Sequence, residues 1–220
     1  MGTNCMFYPV DAPFGLEQVI IDHIDPLTKF YEQELARIKA TSHRLWSSYK
    51  DLYTYELLDF MQEVQKYGVE HLKSTDLHHA KQVDRLTDAF RSYCYRNEIV
   101  LNYDEAIGFL NIFRFQKCED WLRQTYRSEQ FIHLWQYIYK GRGIGRDDEL
   151  PYQQSLDCYS CLFGFWTYAE IEAMLEECYF YEKIDAGIPE SAYYSGCIPM
   201  VVQACEKAFI DGKFILICVS

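Results

Sequence analysis

The sequence predicts an α+β protein that is predominantly helical, with a small sheet formed by N- and C-terminal strands. Three observations lead to this fold class. Apolar side chains recur at helical spacing through most of residues 26 to 140, a Thr-x-x-Glu capping box begins a further helix at Thr167, and short apolar segments suited to strands lie near both termini. Because 49% of the residues are apolar, the chain can bury a substantial core.

The first predicted elements are a strand and a long helix. Residues 4 to 10 predict a short strand, which Pro9 confines to a sheet edge or a strand end. Asp25 and Pro26 then provide an N-cap and a first-turn proline. The apolar periodicity that follows predicts a helix from 26 to about 46.

The same periodicity predicts helices through the middle of the chain. They span 53 to 67 and 76 to 96, and Thr75 is the expected cap of the second. Residues 103 to 140 read as almost entirely helical, in two or three pieces, the last of which ends at Gly141.

Residues 141 to 157 carry the strongest loop signal because they combine three glycines with Pro151. We expect a single domain of residues 1 to 220, and any subdomain boundary should fall in this loop. After it, residues 161 to 166 predict a strand or a buried turn, and the capping-box helix follows.

Two elements are predicted at the C-terminal end. Pro199 serves as the first-turn residue of a last helix that ends at Gly212. Phe214 to Val219 is a β-branched and aromatic run typical of a buried strand. This strand can pair with residues 4 to 10.

The sequence predicts a cytoplasmic protein without a membrane segment. The N-terminal residues lack the basic and apolar regions of a secretory signal, and the longest apolar run is far shorter than the roughly 20 residues that span a bilayer. Nine cysteines are an odd number and several lie on apolar helix faces, so we expect reduced thiols.

The net charge of −12 is concentrated in one segment. Residues 147 to 190 hold eleven acids and one base, Lys183, and so carry ten of the twelve net negative charges. Residues 110 to 146 are locally basic. The overall charge disfavours binding to nucleic acid, and the oligomeric state stays open because the two segments could pair between copies.

The helix in the acidic segment has an arrangement of charges that favours binding over stability. Glu172 and Glu176 lie one turn apart, and such like-charge pairs destabilise a helix by roughly 0.2–0.5 kcal/mol. Tyrosine, a residue type enriched at interface hot spots, lies among the acids. The alternative is a solvated surface whose first-turn glutamates gain from the helix dipole. The predicted binding face for a basic protein partner consists of Glu170, Glu172, Glu176, Glu177, Tyr179 and Tyr181.

The loop before this segment offers an alternative site for an anion. Three glycines alternate with the cations Lys140, Arg142 and Arg146, and such a loop can hold a phosphate through backbone N–H groups. A dinucleotide-binding loop, however, follows a strand and precedes a helix, whereas this one follows a helix. The simpler interpretation is a glycine helix end and a flexible basic loop.

Cys158 and Cys161 form the sharpest local motif, since two thiolates at this spacing can occupy two corners of a zinc tetrahedron. A zinc ribbon needs a second such pair, which the sequence lacks. We therefore interpret the two cysteines as part of a buried aromatic stretch, with a structural zinc site as the alternative and no cofactor expected.

The layout of the chain resembles small bacterial proteins of the YfbM-like type. The similarity lies in the order of elements, in the helix that opens at Thr167 and in the last helix that closes on Asp211 to Ile217. The resemblance implies a bacterial cytosolic α+β domain and assigns no activity or site residue.

These observations predict a protein-binding module rather than an enzyme. One example is an inhibitor or immunity-type protein that neutralises a basic toxin or nuclease. The sequence leaves two alternatives: a small-molecule enzyme or ligand-binding domain that uses residues 140 to 146, and a structural zinc protein. No nucleophile elbow, phosphate-binding P-loop or metalloprotease helix is present in the sequence.

Overall fold

The computed structural model divides the chain into two compact units. Unit 1 consists of Met1–Pro13, Val100–Arg142 and Cys161–Ser220, and unit 2 of Phe14–Ile99 and Gly143–Ser160. The chain passes from unit 1 to unit 2 after Arg142, inside the loop where the sequence places a boundary. The single domain stays a prediction. The structure describes residues 4–40, 54–73, 76–97, 103–124, 128–145, 163–185 and 196–219.

The predicted fold class is confirmed: helices predominate and a small antiparallel sheet joins the two ends of the chain. In the described residues the helices are α1 (Leu16–Asp22), α2 (Ile24–Ala40), α3 (Tyr55–Tyr67), α4 (Leu77–Asn97), α5 (Ile112–Gln124), α6 (Glu129–Lys140), α7 (Tyr168–Asp185) and α8 (Cys197–Asp211). The strands are β1 (Asn4–Val10), β2 (Ile107–Asn111), β3 (Phe163–Trp166) and β4 (Phe214–Val219).

Unit 2 contains α1 to α4, and the predicted helices are present with small differences at their ends. Residues 41 to 46, the predicted end of α2, lie outside the described residues. The predicted cap of α4, Thr75, also lies outside them, and the next residue caps this helix, because the Asp76 carboxylate accepts a hydrogen bond from the His79 N–H at 2.9 Å. Tyr31 on α2 is buried and its hydroxyl accepts the Thr54 N–H at 2.8 Å, which ties α2 to the start of α3.

Unit 1 is built on a four-stranded sheet in the order β2-β1-β4-β3. The predicted pairing of the terminal strands is confirmed, since Cys5 lies opposite Val219 and Val10 lies opposite Phe214. β1 and β4 are the two central strands, and five of the six β4 side chains are buried. Burial on both faces explains why this strand reads as a continuous apolar run.

Residues 107 to 111 correct the sequence prediction, which placed helix throughout 103 to 140. They form β2, an edge strand paired with β1. A run of five residues is too short for apolar periodicity to distinguish a strand from a buried helix. Gly108 has φ +109°, and a Cβ at this position would lie 2.7 Å from Met200 Sδ, so glycine suits the close approach.

The core of unit 1 surrounds two fully buried tryptophans that satisfy their polar atoms with backbone carbonyls. The Trp135 indole N–H donates to Phe115 O at 3.0 Å, and the Trp166 indole N–H donates to Leu134 O at 2.9 Å. Phe7 of β1 stacks on Trp166 with a centroid separation of 5.6 Å. These contacts join the central sheet to α5 and α6.

Helix α7 begins, and helix α8 begins and ends, as the sequence predicts. Thr167 N–H donates to Glu170 Oε2 at 2.8 Å, and Glu170 N–H donates to Thr167 Oγ1 at 3.4 Å, which completes the capping box of α7. Pro199 lies in the first turn of α8, and Gly212 ends this helix with φ 66°. None of the described helices is long and apolar enough to cross a membrane.

Candidate binding surface

Helix α7 separates its side chains into a buried inner face and an exposed outer face. The inner face is apolar and contains Ile171, Met174, Cys178 and Tyr181, which are buried in the core of unit 1. The outer face follows a spacing of four, four and three residues, so its members lie along one stripe of the helix. These exposed residues are Tyr168, Glu172, Glu176 and Tyr179.

Helix α8 packs beside α7 and extends this outer face. The Tyr168 ring stacks on Phe209 with centroids 5.2 Å apart and an interplanar angle of 8°. The Tyr179 hydroxyl donates to Glu206 Oε1 at 2.6 Å. Together they define the outer α7–α8 surface, which consists of Tyr168, Glu172, Glu176, Tyr179 and Glu206.

The outer α7–α8 surface is electronegative because nearby cations make other contacts. Among the described residues, no Lys, Arg or His forms an ion pair with Glu172 or Glu176. Lys207 follows Glu206 on α8, but its Nζ donates to Glu105 O at 3.2 Å. Glu172 and Glu176 therefore present their negative charge to solvent.

The structure places three residues of the predicted binding face away from this surface. Tyr181 is fully buried, donates to Leu122 O at 3.3 Å and stacks on Phe131. Glu170 caps α7 and Glu177 is half-buried. The remaining three residues, Glu172, Glu176 and Tyr179, lie together on the outer face as the sequence predicts.

The cations of the predicted anion-binding loop are not brought together in the described residues. Both carboxylate oxygens of Glu170 accept hydrogen bonds of 2.8 Å from Arg142 Nη1. The Arg142 guanidinium also lies between the rings of Tyr137 and Phe165, at 4.7 and 4.3 Å from their centroids. Lys140 is exposed at the end of α6, and Arg146 lies outside the described residues. Arg142 thus has a structural role at the start of α7.

The cysteines that the structure describes are buried free thiols, seven in all. Burial raises the pKa of Cys5 well above its ordinary value, and the neighbouring Cys218 and Cys197 raise it further. Burial also raises the pKa of Cys205, so both thiols stay protonated. No group of three metal-ligating side chains occurs in the described part of the chain. Cys158 and Cys161 lie outside it.

One acid of unit 2 differs from those of α7 because it is enclosed by protein. Oδ1 of Asp88, on α4, is buried and has no hydrogen-bond partner among the described residues. Desolvation raises the pKa of this carboxyl to about 7, Arg91 lowers it and Asp84 raises it. A linear pattern does not reveal this group, since burial of one polar position depends on what packs over it.

Sequence reasoning also missed two residues of the outer α7–α8 surface. Tyr168 lies four residues before Glu172, so helical spacing would have identified it. Glu206 belongs to another helix, and only the packing of α8 against α7 brings it beside Tyr179. Its position therefore required the tertiary structure.

Comparisons with family models, with characterised proteins and with solved structures found no match for this chain. The resemblance to YfbM-like proteins stays a prediction. The function of this chain is therefore inferred from the residues of the site itself.

Proposed function

We propose that this protein binds a basic protein partner through the outer α7–α8 surface. The observation that carries the proposal is the pair Glu172 and Glu176, which are exposed, one turn apart and without an ion-pair partner among the described residues. Each such like-charge pair destabilises a helix by roughly 0.2–0.5 kcal/mol. A lysine at either position would remove this repulsion, so the pair is better explained by binding than by stability.

Charge complementarity gives this surface a defined role in recognition. Opposite potentials on two proteins accelerate their encounter and discriminate against partners of the wrong charge. Glu206 adds a third carboxylate from the neighbouring helix. A basic partner would therefore meet carboxylates from two helices that are held in place by their packing.

Aromatic side chains supply the apolar contact that a charged surface alone lacks. Tyr168 and Tyr179 are 39% and 40% exposed, and tyrosine is among the residue types that dominate interface energies. Ile210, on α8, is 81% exposed and follows Phe209, on which Tyr168 stacks. A partner that covers this surface would bury apolar area in addition to forming ion pairs.

An inhibitor or immunity-type protein for a basic toxin or nuclease is the specific role we propose. Nucleases bind phosphates through basic surfaces, and an acidic protein surface can oppose the same cations. The polar and aromatic composition of the outer α7–α8 surface supports a role of this kind.

The proposal is tested by the binding of a fluorescent octa-lysine peptide at increasing NaCl concentration. The test variant combines Glu172→Gln, Glu176→Gln and Glu206→Gln. The matched control combines Glu32→Gln, Asp59→Asn and Glu129→Gln, which removes three exposed acids elsewhere and changes the net charge equally. Fluorescence anisotropy would measure the dissociation constants.

We expect the test variant to bind about 10-fold more weakly than the wild type, from three exposed ion pairs of up to about 1 kcal/mol each partly offset by screening. The dissociation constant of the control variant should differ from that of the wild type by less than about 2-fold, on the same energy scale. Equal losses in the two variants would show that only net charge matters, and the proposed surface would then be wrong.

A further inference from the structure

The Tyr168 ring is presented in a way that suits a planar cation. One of its faces stacks on Phe209 almost in parallel, at an interplanar angle of 8°. Tyr168 as a whole is 39% exposed, and apart from Phe209 no ring or cation of the described residues lies against its ring. Glu172 is exposed one turn further along the same stripe, about 5–6 Å away between Cβ atoms.

Other exposed or half-buried rings of this chain already hold cations. Lys39 Nζ lies 3.5 Å from the centroid of Tyr55, which is the first residue of α3 as Tyr168 is the first residue of α7. Arg96 lies 5.6 Å from the Phe30 centroid. These distances fall within the range of cation–π contacts. Arg96 also pairs with Glu34 Oε2 at 2.9 Å, so a ring followed four residues later by a glutamate already holds an arginine elsewhere in this chain.

We propose that Tyr168 and Glu172 form a binding site for an arginine side chain of the basic partner. The guanidinium would stack on the outer face of the Tyr168 ring while its N–H groups donate to the Glu172 carboxylate. This inference rests on the proposed function, because it concerns the partner that meets the outer α7–α8 surface. It adds that the partner is recognised through arginine rather than through positive charge in general.

The preference for arginine follows from the shape of the two cations. A guanidinium is planar, so it stacks on a ring and still offers donors at its edge to a carboxylate. A lysine ammonium is compact and strongly hydrated, and it interacts with a carboxylate as a point charge. The parallel Tyr168–Phe209 pair holds the ring in one orientation, which favours the planar cation.

The test compares octa-arginine and octa-lysine peptides in the same anisotropy assay. The test variant is Tyr168→Leu, which keeps an apolar contact with Phe209 and removes the aromatic face. Tyr168→Phe restores that face without the hydroxyl. The matched control is Tyr55→Leu, because Tyr55 is also an exposed first residue of a helix but its ring already holds Lys39. Thermal melting would check that each variant is folded.

We expect Tyr168→Leu to weaken octa-arginine binding about 3-fold, the scale of an exposed cation–π contact, and to leave octa-lysine binding unchanged. Tyr168→Phe should retain wild-type binding, and Tyr55→Leu should change neither affinity. If Tyr168→Leu affects the two peptides equally, or affects neither, the proposed arginine-binding site is wrong. In that case the proposed function still stands if the three-glutamate variant loses octa-lysine binding. If the wild type binds neither peptide, both proposals are wrong.

Discussion

Helices α3 and α7 begin in the same way but differ in what their exposed charges contact. Each begins after a threonine, Thr54 or Thr167, and each has a tyrosine as its first residue. In α3 the following glutamate, Glu56, accepts a hydrogen bond from Gln82 at 2.5 Å and lies 3.6 Å from Arg85, both on α4. The first turn of α3 is thus held within unit 2 by its own charges.

The two outer glutamates of α7 have no ion pair of this kind within the described part of the chain. Glu172 and Glu176 are exposed, and the described residues provide no cation for either of them. Glu170, in the first turn, is used internally, because it caps the helix and binds Arg142. The two helices therefore differ in that Glu56 of α3 contacts a neighbouring helix, whereas Glu172 and Glu176 of α7 face solvent.

The largest expected effect separates the two faces of α7. Tyr181→Ala removes a fully buried ring that stacks on Phe131, and we expect a loss of about 3–5 kcal/mol in the free energy of unfolding. Tyr179→Ala, two residues away on the outer face, should change it by less than about 0.5 kcal/mol. Urea denaturation would measure both, and comparable losses would contradict the assignment of Tyr179 to a binding surface.

A second prediction concerns a buried acid of unit 2. The pKa of Asp88 is raised to about 7 in the folded protein, above the unfolded value of about 3.9. The favourable contribution of the protonated carboxyl to the free energy of unfolding is fully present below pH 4 and is lost as the pH rises through about 7. In the wild type, Asp88 should therefore reduce stability between pH 5 and 8 by on the order of 2 kcal/mol.

Asp88→Asn should remove this pH-dependent part of the free energy of unfolding, since the amide does not titrate. The test is the difference between wild type and variant in the free energy of unfolding at pH 5, 6, 7 and 8. A difference that does not vary with pH would show that Asp88 titrates normally. It would also weaken the contrast between the enclosed acids of unit 2 and the solvated acids of α7.

The third prediction compares two neighbouring acids of α7. Glu170→Ala removes the capping box and the contact with Arg142, so we expect the free energy of unfolding to fall by about 1–2 kcal/mol. Glu172→Ala removes no cap. It should relieve repulsion from Glu176 and so raise the free energy of unfolding by about 0.2–0.5 kcal/mol. Thermal melting of the two variants would show shifts of opposite sign, whereas a loss for Glu172→Ala would show that it supports the fold.

Local sequence signals predicted much of the fold. The capping box at Thr167, Gly212 after α8 and the apolar run of β4 follow from rules that involve a few neighbouring residues. The strand at residues 107 to 111 did not, because a five-residue apolar run has no distinct period. Its strand identity comes from pairing with β1, which is distant in sequence.

The candidate site was predictable only in part for the same physical reason. Helical spacing identified Glu172 and Glu176 as one group, and composition added Tyr179. Composition alone also drew in Tyr181, although its position in the period of α7 belongs to the buried face. The contributions of Glu206 and of the Tyr168–Phe209 stack depend on how α8 packs against α7, which a linear pattern does not contain.

The central claim is that the outer acids of α7 are retained for a partner at the expense of the helix. The most direct test is the free energy of unfolding of Glu176→Lys, measured with and without octa-arginine. Without peptide we expect a gain of about 0.5 kcal/mol, because Glu172 acquires a favourable partner one turn away. With peptide, the variant should gain less additional stability than the wild type, since a bound ligand at free concentration L stabilises by RT ln(1 + L/Kd) and the variant has the larger Kd. A loss of stability without peptide, or an undiminished effect of the peptide, would contradict the account.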